Sequence, residues 1–129
     1  MAYFMIAGRA NDPEYARAEM LAHHLNINLP SFHITLLPQH PDDWPDYARQ
    51  IFIQNGWANR MAHDRTFKTP EGLEQMVWRE SGELIGDTKD FLKFIKQAYD
   101  QEYNLDDGTL ADIAKENYEE LLASKQASK

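Results

Sequence analysis

The chain has 129 residues, 43% of them hydrophobic and 12% aromatic, a formal net charge of −8, and no cysteine. That describes one globular domain over residues 1–129, with no thiol nucleophile, disulfide or thiolate metal site. The acidic balance excludes a phosphate-tracking nucleic-acid binder and a module for anionic membrane surfaces, and no apolar run reaches the roughly 20 residues that span a bilayer.

Tyr3 to Ala7 is nearly continuous apolar sequence, as in an interior strand covered on both faces. Asn11 or Asp12 then caps a helix with Pro13 in its first turn, where a missing N–H costs nothing. Ala18, Leu21, Ala22 and Leu25 recur at helical spacing, and the pattern stops at Asn26-Ile27-Asn28. Phe32, Ile34 and Leu36 alternate with His33 and Thr35, which is strand periodicity, so the opening segment reads as a βαβ unit with parallel strands.

Pro38 and Pro41 bracket a turn, and Asp42 or Asp43 caps a second helix carrying Trp44, Tyr47, Ala48, Ile51 and Phe52 as far as Asn55-Gly56. Trp57 to Leu73 has no clear period and reads as an insertion loop. Gln75 to Arg79, a turn at Glu80-Ser81-Gly82-Glu83, and Leu84-Ile85 form an antiparallel hairpin. Gly86-Asp87-Thr88 leads into a helix with Phe91, Leu92, Ile95, Ala98 and Tyr99 on its apolar side. A last helix, about 107–123, carries Leu110, Ile113, Ala114, Tyr118, Leu121 and Leu122, and the polar tail from Ser124 is expected to fray.

The order βαβα then ββα resembles the thioredoxin-like, glutaredoxin-like α/β fold. It implies a four-stranded mixed sheet, order 4-3-1-2, flanked by helices, with a core at about 3–100 and an extra C-terminal helix. The stretch from Met76-Val77-Trp78-Arg79-Glu80 through Gly86-Asp87-Thr88 to Phe91-Leu92 is similar to the closing hairpin and helix of glutaredoxins. The residues Phe4 to Ala10, Tyr15-Ala16, Asn28-Leu29-Pro30, Pro41, Trp44, Asn55, Trp57, Trp78-Arg79-Glu80 and Ile113-Ala114-x-Glu116-Asn117 resemble the N-terminal region of the putative malate dehydrogenase 1B family. In that family a dehydrogenase-like region follows, and the association with ciliated cells implies an axonemal setting.

Set against these families, Asp12-Pro13-Glu14-Tyr15 stands where a glutaredoxin has Cys-Pro-Tyr-Cys. Gln75 occupies the position of the usual cis-proline, and Asp87 replaces the second glycine of a Gly86-Gly pair. The resemblance therefore implies a degenerate site at Asp12, Pro13, Glu14, Tyr15, Gln75, Gly86 and Asp87, with Asp87 repelling the carboxylate of glutathione. Asp12 and Glu14 could replace a thiolate's charge, but capping and dipole compensation, ~0.3–1 kcal/mol, are the simpler reading. Tyr15 reads as core or rim packing rather than as a hydroxyl donor.

Other chemistry is thin. Gly8 stands alone where a dinucleotide fingerprint needs three glycines. His23, His24, His33, His40 and His63 show no metal-ligand spacing, and no cofactor is expected. Trp44, Trp57, Arg60, Arg65, Phe67 and Lys68 offer aromatic and basic character on an acidic chain, as a protein contact surface would, or else they pack the monomer. The expectation is a non-catalytic, cytoplasmic interaction or scaffold module, with protein partners in a cytoskeletal or axonemal assembly and neither nucleic acid nor membrane. A glutathione-binding or dehydrogenase-regulating domain is the alternative.

Overall fold

The computed structural model describes residues 2–56, 73–103 and 105–127. Strand β1 (Ala2–Arg9) is followed by helix α1 (Pro13–Asn28), β2 (Phe32–Gln39) and α2 (Trp44–Gln54). The hairpin β3 (Gln75–Arg79) and β4 (Leu84–Gly86) then leads to α3 (Thr88–Tyr99) and α4 (Asp107–Ala127). The sheet order is β2-β1-β3-β4. β1 runs parallel to β2 from Ala2↔Phe32 to Arg9↔Gln39, and antiparallel to β3 from Phe4↔Arg79 to Gly8↔Gln75. This is the thioredoxin-like arrangement that the element order implied.

Alternation along β1 explains the layers, because successive side chains leave opposite faces of a strand. Phe4 and Ile6 join Val77, α1 and α3 in one core, where the Phe4 ring stacks on Phe32 at 5.0 Å and lies 6.0 Å from Phe91. Ala7, with Met76 and Trp78, meets Trp44, Ala48 and Phe52 of α2 on the other side. Apolar burial on both faces is why β1 reads as an unbroken hydrophobic run. Helix α4 forms an outer layer, seating Leu110 and Ala114 against Ala16 of α1.

Two element boundaries differ from the sequence reading. β2 continues through Pro38 to Gln39, since its parallel ladder with β1 lasts for the full length of both strands. Helix α4 keeps helical backbone to Ala127, past the point where its apolar pattern ends. Its start is fixed by Asp106, whose carboxylate accepts from the Thr109 amide at 3.3 Å, and by Arg17 of α1, which reaches Asp107 at 3.1 Å.

Candidate functional site

The register that pairs Gly8 with Gln75 carries the first residue of β3 to the mouth of α1. Asp12 is the N-cap of α1, and its Oδ1 accepts from the Glu14 amide at 2.9 Å. Its other oxygen accepts from Gln75 Nε2 at 2.5 Å. Gln75 is only 5% exposed, and its Oε1 accepts from the Thr88 amide at 3.3 Å. Thr88, buried at the first turn of α3, donates its hydroxyl to the Glu14 carbonyl at 2.9 Å. Two helix N-termini and the start of a strand are thereby tied together through one glutamine.

Glutamine suits this position because its amide both donates and accepts. A carboxylate there would face Asp12 across 2.5 Å, and a proline would have no side-chain donor. The N-terminus of α3 is further closed by its own residues. The Asp90 amide donates to Asp87 Oδ1 at 3.1 Å, and the Asp87 amide to Asp90 Oδ2 at 3.3 Å, a capping box. Helix N-terminal amides bind anions when left open; here side chains of the chain itself take the Thr88 and Asp90 amides.

Two glycines permit the tight geometry. A Cβ on Gly8 would stand 2.8 Å from the Tyr15 ring, so Gly8 is what lets Tyr15 pack closely against β1. Gly86 has φ +133, and a Cβ there would strike the Asp90 carboxylate. Both positions serve packing around the α1 and α3 mouths.

The structure brings Asp12, Pro13, Glu14, Gln75, Gly86 and Asp87 to one end of the sheet and adds Thr88 as the link that sequence reasoning missed. Tyr15 is elsewhere in character. Its side chain is fully buried, and its hydroxyl has no partner of hydrogen-bond geometry. Burial, and then the Glu19 carboxylate one turn on, push that hydroxyl's pKa far up, so it stays protonated. No cis peptide bond and no metal-ligand cluster occur among the described residues.

One expected contact residue is corrected. Trp44 is 1% exposed, packed with Ala48, Phe52, Met76 and Trp78, and its indole N–H donates to the Leu73 carbonyl at 3.1 Å. A tryptophan whose ring and polar atom are both satisfied internally is core, not contact surface. Trp57, Arg60, Arg65, Phe67 and Lys68 lie outside the described residues.

Comparison with known proteins gives a consistent picture. The family described as "Putative malate dehydrogenase 1B N-terminal domain" matches residues 3–129. Proteins named putative malate dehydrogenase 1B from Bos taurus, Homo sapiens and Branchiostoma floridae are 33%, 32% and 31% identical to the chain, each across 91% of it. The chain spans only 24% of the bovine protein and 21% of each of the other two.

Proposed function

We propose that this chain, which belongs to the putative malate dehydrogenase 1B N-terminal domain family, is a thioredoxin-like module that works by protein contact rather than by thiol chemistry. The observation that carries this reading is the Asp12–Gln75–Thr88 chain of hydrogen bonds. By the resemblance to glutaredoxins, these side chains stand where such a protein keeps a thiolate and docks glutathione. Thiol exchange needs a thiolate, and the sequence contains no cysteine. The fold retains its shape there without the groups that would turn over a substrate, so its use lies in its surface.

A dehydrogenase-regulating role is the second reading, favoured by the relatives' printed name and by the small share of their length that the chain spans. In that reading the module binds a dehydrogenase-like chain. The axonemal setting implied by the family resemblance would make a cytoskeletal protein the partner instead.

Three measurements test the proposal. Purified protein should reduce a glutathione mixed disulfide no faster than buffer. Calorimetric titration with glutathione should give a Kd weaker than about 1 mM, roughly −4 kcal/mol. Tagged protein in its native cell should retain a partner at fixed stoichiometry, and the identity of that partner separates the two readings. Turnover above buffer, or micromolar glutathione binding, would overturn the non-catalytic reading.

A further inference from the structure

A second polar feature lies along α1, away from the closed helix mouths. Between α1, β2 and α4 runs an open groove of about 480 Å³. Leu36, Pro38 and Leu121 give it apolar walls, while Glu19, His23, Asn117 and Glu120 supply its polar groups. Glu19 is half-buried and accepts from Asn117 Nδ2 at 3.4 Å. Among the described residues no lysine or arginine forms an ion pair with Glu19 or Glu120.

The balance of charge in this groove favours an incoming cation. Burial raises the Glu19 pKa and the Glu120 charge raises it further, while Asn117, His23 and the Tyr15 hydroxyl act in the opposite sense. A half-buried carboxylate beside a like charge is an expensive arrangement unless something positive completes it. The fully buried Tyr15 hydroxyl lies behind the same carboxylate and interacts with it, although without good hydrogen-bond geometry. Elsewhere α1 meets its acids with bases: Arg17 bridges Glu14 and Asp107, both at 3.1 Å. At Glu19 no lysine or arginine does this among the described residues, and His23 is the basic side chain that faces it.

We propose that this groove receives an arginine side chain from an extended segment of a protein partner. Charge complementarity selects a cation, because the groove's two carboxylates belong to a chain of net charge −8. The walls select a cation with an apolar stem, since Leu36, Pro38 and Leu121 would cover methylenes and leave the charged head among the acids. Guanidinium fits better than ammonium. It is less strongly hydrated, and its five donors can serve two carboxylates together with the Asn117 carbonyl. The assignment deepens the contact-module reading by naming a surface and a partner chemistry.

The test is an NMR titration of the ¹⁵N-labelled chain with acetyl-Ala-Ala-Arg-Ala-Ala-amide, beside the same peptide carrying citrulline or lysine. The arginine peptide should give saturable shifts centred on Glu19, His23, Asn117, Glu120 and Leu121. Its Kd should be at least tenfold lower than that of the citrulline peptide, which has the same shape without the charge. A Glu19→Gln/Glu120→Gln variant should lose at least tenfold in affinity. Should the double variant fold poorly, Glu120→Gln alone, at an exposed position, should still weaken binding severalfold. Binding should also lower the midpoint of the Glu19 carboxyl ¹³C titration. Equal binding of citrulline, tighter binding of lysine, or shifts mapping elsewhere would overturn the proposal. The titration uses no partner protein, so it can fail while the contact-module reading stands, and the reverse.

Discussion

Helix α1 takes part in two polar clusters that are finished in opposite ways. At its mouth, Asp12, Gln75, Thr88 and the Glu14 carbonyl satisfy one another in sequence. Further along, Glu19 has a weak amide donor at 3.4 Å, the Tyr15 hydroxyl and His23 near it, a like charge in Glu120, and no arginine or lysine paired with it among the described residues. The first cluster spans elements distant in sequence and so holds the fold together; the second faces an open groove. Where a protein satisfies its polar groups internally, the site is structural; where it leaves them uncompensated and open, a ligand can complete them. The mouths of α1 and α3 are closed by the chain's own side chains, and the outer face of α1 is the better place to look for recognition.

The sharpest way to break the comparison is Gly86→Ala. The residue would carry a Cβ at φ +133, against the Asp90 carboxylate of the α3 capping box. Backbone strain and overpacking together should cost about 3 kcal/mol, read as a drop in the denaturant midpoint. A loss below about 1 kcal/mol would mean that the α3 mouth is loose, and that its amides are available to an anion after all.

Gln75→Ala comes next. It strips the second donor from Asp12 and leaves the buried Thr88 amide without its acceptor. An unsatisfied buried donor costs about 1–3 kcal/mol, so a loss of about 2 kcal/mol is expected by chemical denaturation. Gln75→Glu should be worse at neutral pH than at acid pH, since protonation removes its repulsion with Asp12. If Gln75→Ala proves neutral, water replaces the amide, and the closed mouth is less structural than its geometry suggests.

How much of this was legible in the sequence depends on the range of the interaction. β1 showed itself through an apolar run, α1 through Pro13 behind a capping aspartate, and the hairpin through Gly82 between two apolar runs, all local signals. Gln75 was marked only by what it was not, a proline; its bonds to Asp12, 63 positions away, and to Thr88 depend on a register that no local pattern encodes. Trp44, opening a helix, allowed both a surface and a core reading, and the bond from its indole to Leu73 places it inside. Glu19 was silent altogether, an acid on a helix until α4 packs alongside and half-buries it. Its spacing of four from Tyr15, and Asn117 within the Ala114-x-Glu116-Asn117 element, were the available hints.

Tyr15→Phe probes the junction between the two clusters. The hydroxyl is buried without a partner of proper geometry, so deleting it removes a desolvation cost and keeps the ring that packs on Gly8. A gain of up to about 1 kcal/mol is expected from thermal or chemical unfolding. A loss of comparable size would show that the hydroxyl is held by Glu19 in solution, and would move Tyr15 from unsatisfied core to part of the groove.

Glu19→Gln should have the smallest effect on stability, and its sign is informative. Burial, with Glu120 adding to it, holds the Glu19 carboxyl above its ordinary range, so the folded chain keeps this proton more readily than the unfolded chain. Between the ordinary carboxylate pKa and the raised one, folding takes up protons, and stability falls as pH rises. The penalty is absent below the ordinary value and complete above the raised one. Glutamine carries no charge and can still accept from Asn117, so the variant should match the native chain at acid pH and exceed it at neutral pH. Tyr15, His23 and Glu120 are the other titratable groups coupled to Glu19 through these contacts; a repeat in a His23→Gln background keeps histidine titration out of the profile. Unfolding free energies compared across pH read the difference directly. A variant less stable than the native chain at neutral pH would show that Glu19 already has its counter-charge within the fold, and the case for an incoming arginine would lose its main support.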